Sequence, residues 1–143
     1  MEKILISACL IGDKTKYDGS SNYNPLIEKL LEKYDLVPFC PEMEGGLKCP
    51  RNPSEIQKHH VVMSDGTDVT NNLLEGAKKA AMLCSLLGIR KAVLKESSPS
   101  CGSHEVYDGT FTHTKRKGMG FTASALAAKG IAIYSEDEIE KLL

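Results

Sequence analysis

Little in this sequence pulls in one electrical direction. Lys and Arg number 18 against 19 Asp and Glu, a formal charge of -1, so the chain has no field to draw in a phosphate backbone or an anionic membrane. Nucleic acid and membrane surfaces are excluded as main partners. Long apolar runs are also missing, and nothing approaches the roughly 20 residues that span a bilayer. A secretion signal is lacking: Ile6-Ser7-Ala8-Cys9 has the outline of a lipoprotein cleavage site, but only Ile4, Leu5 and Ile6 separate Lys3 from Ser7. That falls short of the apolar core of about 7–15 residues such a signal needs. With no internal repeat, low-complexity tract or linker, one domain over residues 1–143 is expected, with no obligate protein partner. A chain of this length needs neither disulfide nor metal merely to fold, so any metal serves chemistry. Five cysteines, an odd number with no signal, imply a reducing, cytoplasmic location where thiols are free to bind metal or react.

What is present is an alternation of strand and helix. The stretches 3-KILISAC-9 and 36-LVPF-39 read as buried strands. Between them 24-NPLIEKLLEKY-34 reads as a helix capped by Asn24, with Leu26, Ile27, Leu30, Leu31 and Tyr34 on one stripe. A longer helix is predicted from Thr70 to Leu87, where Leu73, Leu74, Ala77, Ala80, Ala81, Cys84 and Leu87 share a face and Gly88 stops it. Strand 91-KAVLK-95, a helix at 121-FTASALAAK-129, strand 131-IAIY-134 and a last helix opened by Ser135 and Glu138 follow. This pattern predicts an α/β fold, a three-layer sandwich with a mainly parallel sheet in the order 2-1-3-4. Residues 40–69 form a long irregular region in which 60-HVVM-63 is a weak strand candidate.

Three thiols fall at strand ends. Cys9 ends the first strand, Cys40 follows the second and Cys101 lies in the loop after the third, which places all three at the carboxyl edge of neighbouring strands. Three thiolates fit a catalytic zinc with one open position, or an iron–sulfur cluster with one iron left without a protein ligand. Thiols with no metal remain the third reading. Cys84 belongs to a helical apolar stripe and is assigned to the core. Cys49, in the long loop, could reach the same edge. His59, His60, His104 and His113 lack metal-ligand spacing and none is assigned to the site; 115-KRK-117 reads as a solvated loop. Asp18-Gly19 and Asp108-Gly109 are turn signals, Gly45-Gly46 permits close backbone approach, and 118-GMG-120 offers amides at a helix start.

The motifs 7-SACLIG-12, 16-KYDG-19, 40-CPEMEGGLKCPR-51, 65-DGTDVT-70, 76-GA-77, 95-KESSPSCG-102, 107-YDGTF-111, 118-GMG-120 and 135-SE-136 together resemble the 2-thiouracil desulfurase family, formerly catalogued as a domain of unknown function. The resemblance runs nearly end to end, and the combination of CPE, GGL and PR with SPSCG is specific. It implies a Rossmann-like domain and an oxygen-sensitive [4Fe-4S] cluster held by Cys9, Cys40 and Cys101, with one iron free of protein ligands. Such a cluster is expected to be lost from protein prepared in air. Cys49 stands where the family is expected to carry a small residue other than cysteine, which leaves exchange between Cys40 and Cys49 open. The implied reaction removes sulfur from a thiolated pyrimidine such as 2-thiouracil, giving uracil and hydrogen sulfide by hydrolysis without net electron transfer. Such hydrolysis needs a base for water, and Glu42, two residues from Cys40, is the candidate. Ser97 and Ser100 could orient the ring or move a proton, with Ser97 preferred as nearer the sheet edge and Ser7 a weaker choice. The rival readings are a zinc-dependent hydrolase or deaminase at the same thiols, and a non-catalytic nucleotide- or anion-binding module whose cysteines sense redox state.

Overall fold

The computed structural model describes residues 1–143. The chain runs β1 (Lys3–Ser7), α1 (Ile27–Leu31), β2 (Asp35–Phe39), α2 (Pro41–Glu44), β3 (Ser54–Gln57), β4 (His60–Met63), α3 (Thr70–Leu87), β5 (Lys91–Leu94), β6 (Glu105–Tyr107), β7 (Lys115–Lys117), α4 (Phe121–Ala128) and β8 (Ala132–Ser135), with 3-10 segments at Ala8–Ile11 and Glu136–Leu142. The central sheet has four strands in the order β2-β1-β5-β8, all parallel. Counting only these strands, this is the predicted order 2-1-3-4. Leu5 sits opposite both Val37 and Ala92, so β1 is hydrogen-bonded on both sides and its side chains are buried from Ile4 to Ser7.

Period-two alternation sends the strand side chains to two separate cores. Leu5, Ala92 and Leu94 face α3 and α4, meeting Ala80, Ala81, Cys84 and Leu126. Ile4, Ile6 and Val93 face the other way, meeting Ile27, Leu30, Tyr34, Ile139 and Leu142. Two helical layers with a sheet between them follow directly from that division. Helix α3 has the predicted bounds and ends where Gly88 adopts a left-handed φ of 68° and returns its N–H to Cys84 O. Leu74 and Leu87, assigned to its buried stripe, are exposed at 53% and 40%. Cys84 is in the core as expected.

Several expectations need correction. Helix α1 is shorter than residues 24–34: the Asn24 carboxamide accepts the Leu26 N–H, and the first turn closes through i to i−3 bonds. Leu31 of its stripe is exposed. The last helix carries the predicted capping box on Ser135 and Glu138 but is 3-10 rather than α. The irregular region holds α2 and a hairpin, in which β4 is real and pairs antiparallel with the unanticipated β3. The 115-KRK-117 stretch is not a loop but strand β7, paired with β6, all three side chains exposed.

Candidate functional site

A cavity of about 490 Å³ opens at the carboxyl edge of the sheet. Cys9, Cys40 and Cys101 all line it, each following a different parallel strand, and Glu42, Ser97 and Lys95 are also in its lining. Chain topology, not sequence proximity, creates this gathering: β1 ends at Ser7, β2 at Phe39 and β5 at Leu94, so each following residue enters the same crevice.

Each thiol has its own local holder. Ser7 Oγ accepts the Lys95 N–H at 2.9 Å and points its own proton at Cys101 Sγ, 3.4 Å away. The Asn22 amide donates to Cys9 Sγ at 3.4 Å. Cys40 begins α2 as its N-cap, followed by Pro41 in the first turn. Burial pushes the Cys9 and Cys40 thiols above their ordinary range, and for Cys9 the neighbouring Cys40 adds to the effect against the Asn22 hydrogen bond. Cys101 is pushed up furthest, by complete desolvation, with Cys40, Glu42 and Cys9 adding negative charge. Three thiols kept protonated in this way, Cys101 buried and Cys9 and Cys40 half-buried, are poor free nucleophiles or redox sensors, which work as accessible thiolates. They suit thiolates neutralised by a metal centre. No three His, Cys, Asp or Glu side chains converge closely enough for a single metal ion, whereas a cubane binds each thiolate through a different iron and takes them further apart.

The other predicted residues separate. Glu42 is held by Arg51, whose Nε lies 3.3 Å from Oε1, both side chains largely buried at 14% and 6% exposure. Arg51 also donates to Lys48 O and Thr15 O. Ser97 lines the cavity in a left-handed conformation, φ 72°, and its hydroxyl makes no hydrogen bond within the protein. Ser100 is not among the residues lining the cavity: it is fully buried, its Oγ without a partner. Cys49 is likewise outside the lining, with Sγ 3.2 Å from both Lys14 O and Lys16 O.

The loop from Glu96 to Glu105 is organised by one carboxylate. Glu96 Oε1 accepts the N–H groups of Ser97, Ser103, His104 and Glu105, and Oε2 meets His104 Nδ1 at 2.7 Å. Burial alone would raise its pKa, but these hydrogen bonds win and hold it at about 2. The amides of Gly118, Gly120 and the α4 start are not free for an anion: Gly118 donates to His104 O, and Gly120, Phe121, Thr122 and Ala123 donate to carbonyls of Gly102, Pro99 and Ser100. Gly120 packs so tightly there that a Cβ would lie 2.5 Å from Ser100 C. Residues passed over in the sequence also enter the site. Arg51 stood in the quoted CPEMEGGLKCPR motif with no role, Asn22 carried no signal, and His113 and Lys115 reach the cavity because the β6–β7 hairpin folds over it.

The family model described as 2-thiouracil desulfurase matches residues 4–138. The chain belongs to the 2-thiouracil desulfurase family. Among its relatives, a Bacillus subtilis (strain 168) protein described as uncharacterized protein YbbK is 37% identical over 98% of this chain and 99% of its own length. A solved structure described as the [4Fe-4S]-dependent thiouracil desulfidase TudS is 44% identical, covers 99% of this chain and 95% of its own, and superposes with a TM-score of 0.94. The thiol-lined crevice of this desulfurase-family chain therefore lies in a backbone shared with an enzyme so described.

Proposed function

We propose that this protein is an iron–sulfur-dependent desulfurase that hydrolyses a thiolated pyrimidine such as 2-thiouracil to uracil and hydrogen sulfide. The observation that carries this is the convergence of Cys9, Cys40 and Cys101 on one cavity beside the Arg51-held Glu42. Cys9, Cys40 and Cys101 would hold a [4Fe-4S] cluster, leaving one iron without a protein ligand, and Cys49 is left out because it faces the Lys14 and Lys16 carbonyls. When bound, such a cluster supplies a soft Lewis acid for a thiocarbonyl sulfur.

The chain's own residues provide the rest. Arg51 fixes Glu42 through Oε1, which leaves Oε2 to accept a proton from water as its oxygen bonds to the thiocarbonyl carbon. The carbon–sulfur bond then breaks, the carbonyl forms, and sulfur departs with two protons as hydrogen sulfide, so no electron is gained or lost. Ser97 presents an uncommitted hydroxyl to the ring, and the Lys95 ammonium, 2.8 Å from Glu136 Oε2, keeps a cation near the thiols. The substrate is a small molecule, and a reducing cytoplasm suits both it and the thiols. The test is anaerobic incubation of iron-loaded protein with 2-thiouracil. Equal amounts of sulfide and uracil are expected; an intact cluster with no desulfuration of any thiolated pyrimidine rejects the reading.

A further inference from the structure

Glu55 is a buried carboxylate without a cation. It is 8% exposed, stands on β3, and lines the cavity that holds the thiols. No ion pair of the molecule includes it. Oε1 accepts the backbone N–H groups of Gly109 at 3.0 Å and Phe111 at 3.2 Å, while Oε2 has no hydrogen bond within the protein. The only completely sealed, unpartnered side-chain polar atoms are Ser100 Oγ and Thr122 Oγ1, so Oε2 keeps an open side. A buried carboxylate with a vacant oxygen is costly unless something donates to it.

The two amides that hold Oε1 also tell what this residue arranges. Phe111 and His113 adopt left-handed φ values of 57° and 59°, unusual for such residues, and both line the cavity. The loop is drawn against β3 at Gly109, where a Cβ would lie 2.7 Å from Ile56 O, and Gln57 Nε2 donates to Gly109 O at 2.8 Å. Glu55 is thus immobilised by backbone and presents an oxygen without a protein donor in the cavity that Phe111 also lines. The complementary ligand feature is an N–H on the edge of a flat ring.

We infer that Glu55 determines substrate specificity by accepting a ring N–H of the thiolated pyrimidine on Oε2. This rests on the proposed function and deepens it: 2-thiouracil carries an N–H on each side of its thiocarbonyl carbon, and a site built around an acceptor rejects the analogue that lacks the matching donor. Replacing N–H by N-methyl removes that donor and adds bulk. Glu55→Gln is the informative change, because its amide oxygen still accepts from Gly109 and Phe111 while its NH₂ faces the ring with a donor where an acceptor is needed.

The experiment measures binding of uracil, 1-methyluracil and 3-methyluracil to iron-loaded protein by calorimetry, with turnover of 2-thiouracil followed on the same preparations. Wild type should bind one N-methyl isomer about 10–100-fold more weakly than uracil, the usual worth of a hydrogen bond to a charged group. Glu55→Gln should bind uracil about 10–100-fold more weakly, lose the discrimination between isomers, and keep its melting temperature and iron content. Wild-type affinity and discrimination in Glu55→Gln, or no preference between isomers in wild type, would overturn the assignment. Glu55-dependent binding without turnover would support it while rejecting the desulfurase reading, so the two failures are distinguishable.

Discussion

At the scale of single residues the account turns on Glu42, because its neighbourhood separates chemistry from assembly. Its Oε1 is committed to Arg51, and it touches none of the three thiols by hydrogen bond. Glu42→Gln should therefore retain iron and bind 2-thiouracil but lose turnover by roughly 10²–10⁴-fold, the usual contribution of a general base. Ser97→Ala should lose less if its hydroxyl only orients the ring. Sulfide release normalised to iron content measures both, and wild-type rates in Glu42→Gln would remove the base. The thiols at strand ends were legible in the sequence because a parallel sheet dictates where strand ends meet. The position of Ser100 and Cys49 outside the cavity lining was not, because it depends on residues distant in the chain: the Ser100 carbonyl is held by the Thr122 and Ala123 N–H groups, and Cys49 Sγ by the Lys14 and Lys16 carbonyls. Ser7 shows the same limit from the other side: read as a weak candidate, it bridges β1, β5 and Cys101.

Secondary elements supply rigidity where the loops cannot. Helix α2, only four residues long, carries Glu42 and is held against α3 by two glycines. A Cβ on Gly45 would collide with Asn72 O, and one on Gly76 with Pro41 O. Backbone cannot yield as a side-chain tip can, so Gly45→Ala or Gly76→Ala should cost roughly 1–3 kcal/mol and shift Glu42 from Arg51. Urea denaturation and turnover together would register this. The Glu96–His104 contact makes a second, pH-dependent prediction. Glu96 is held at about 2 against an ordinary 4.5, so its stabilisation is complete above pH 4.5 and fades as pH falls toward 2. His104 is raised above 6.5, chiefly by its hydrogen bond to Glu96, so its share is complete below pH 6.5 and fades as pH rises past its folded value. The melting-temperature difference between wild type and Glu96→Gln should accordingly peak between pH 4.5 and 6.5. A difference independent of pH would deny that carboxylate its role. Among the elements themselves, α3 was readable from its stripe and Gly88, whereas β3, β6 and β7 were not. The segments SEIQ and EVY lack the apolar run that made the equally short β5 legible, and exposed Lys115, Arg116 and Lys117 mimic a loop.

For the whole molecule, the central claim is that three strand ends make one cluster site. None of its helices is long and apolar enough to cross a membrane, and both sheet faces are covered, so the open crevice at the sheet's carboxyl edge is where chemistry is available. Under the proposed three-cysteine ligand set, air should strip the cluster through the iron left without a protein ligand, leaving protein that has lost its iron but keeps its fold. The most direct measurement is iron and acid-labile sulfide per chain in anaerobically prepared wild type and its cysteine variants. The account predicts about four irons in wild type, near-complete loss in each of Cys9→Ser, Cys40→Ser and Cys101→Ser, and full retention in Cys49→Ser and Cys84→Ser. A full cluster in Cys40→Ser, together with its loss in Cys49→Ser, would contradict the ligand set and with it the shared strand-edge site.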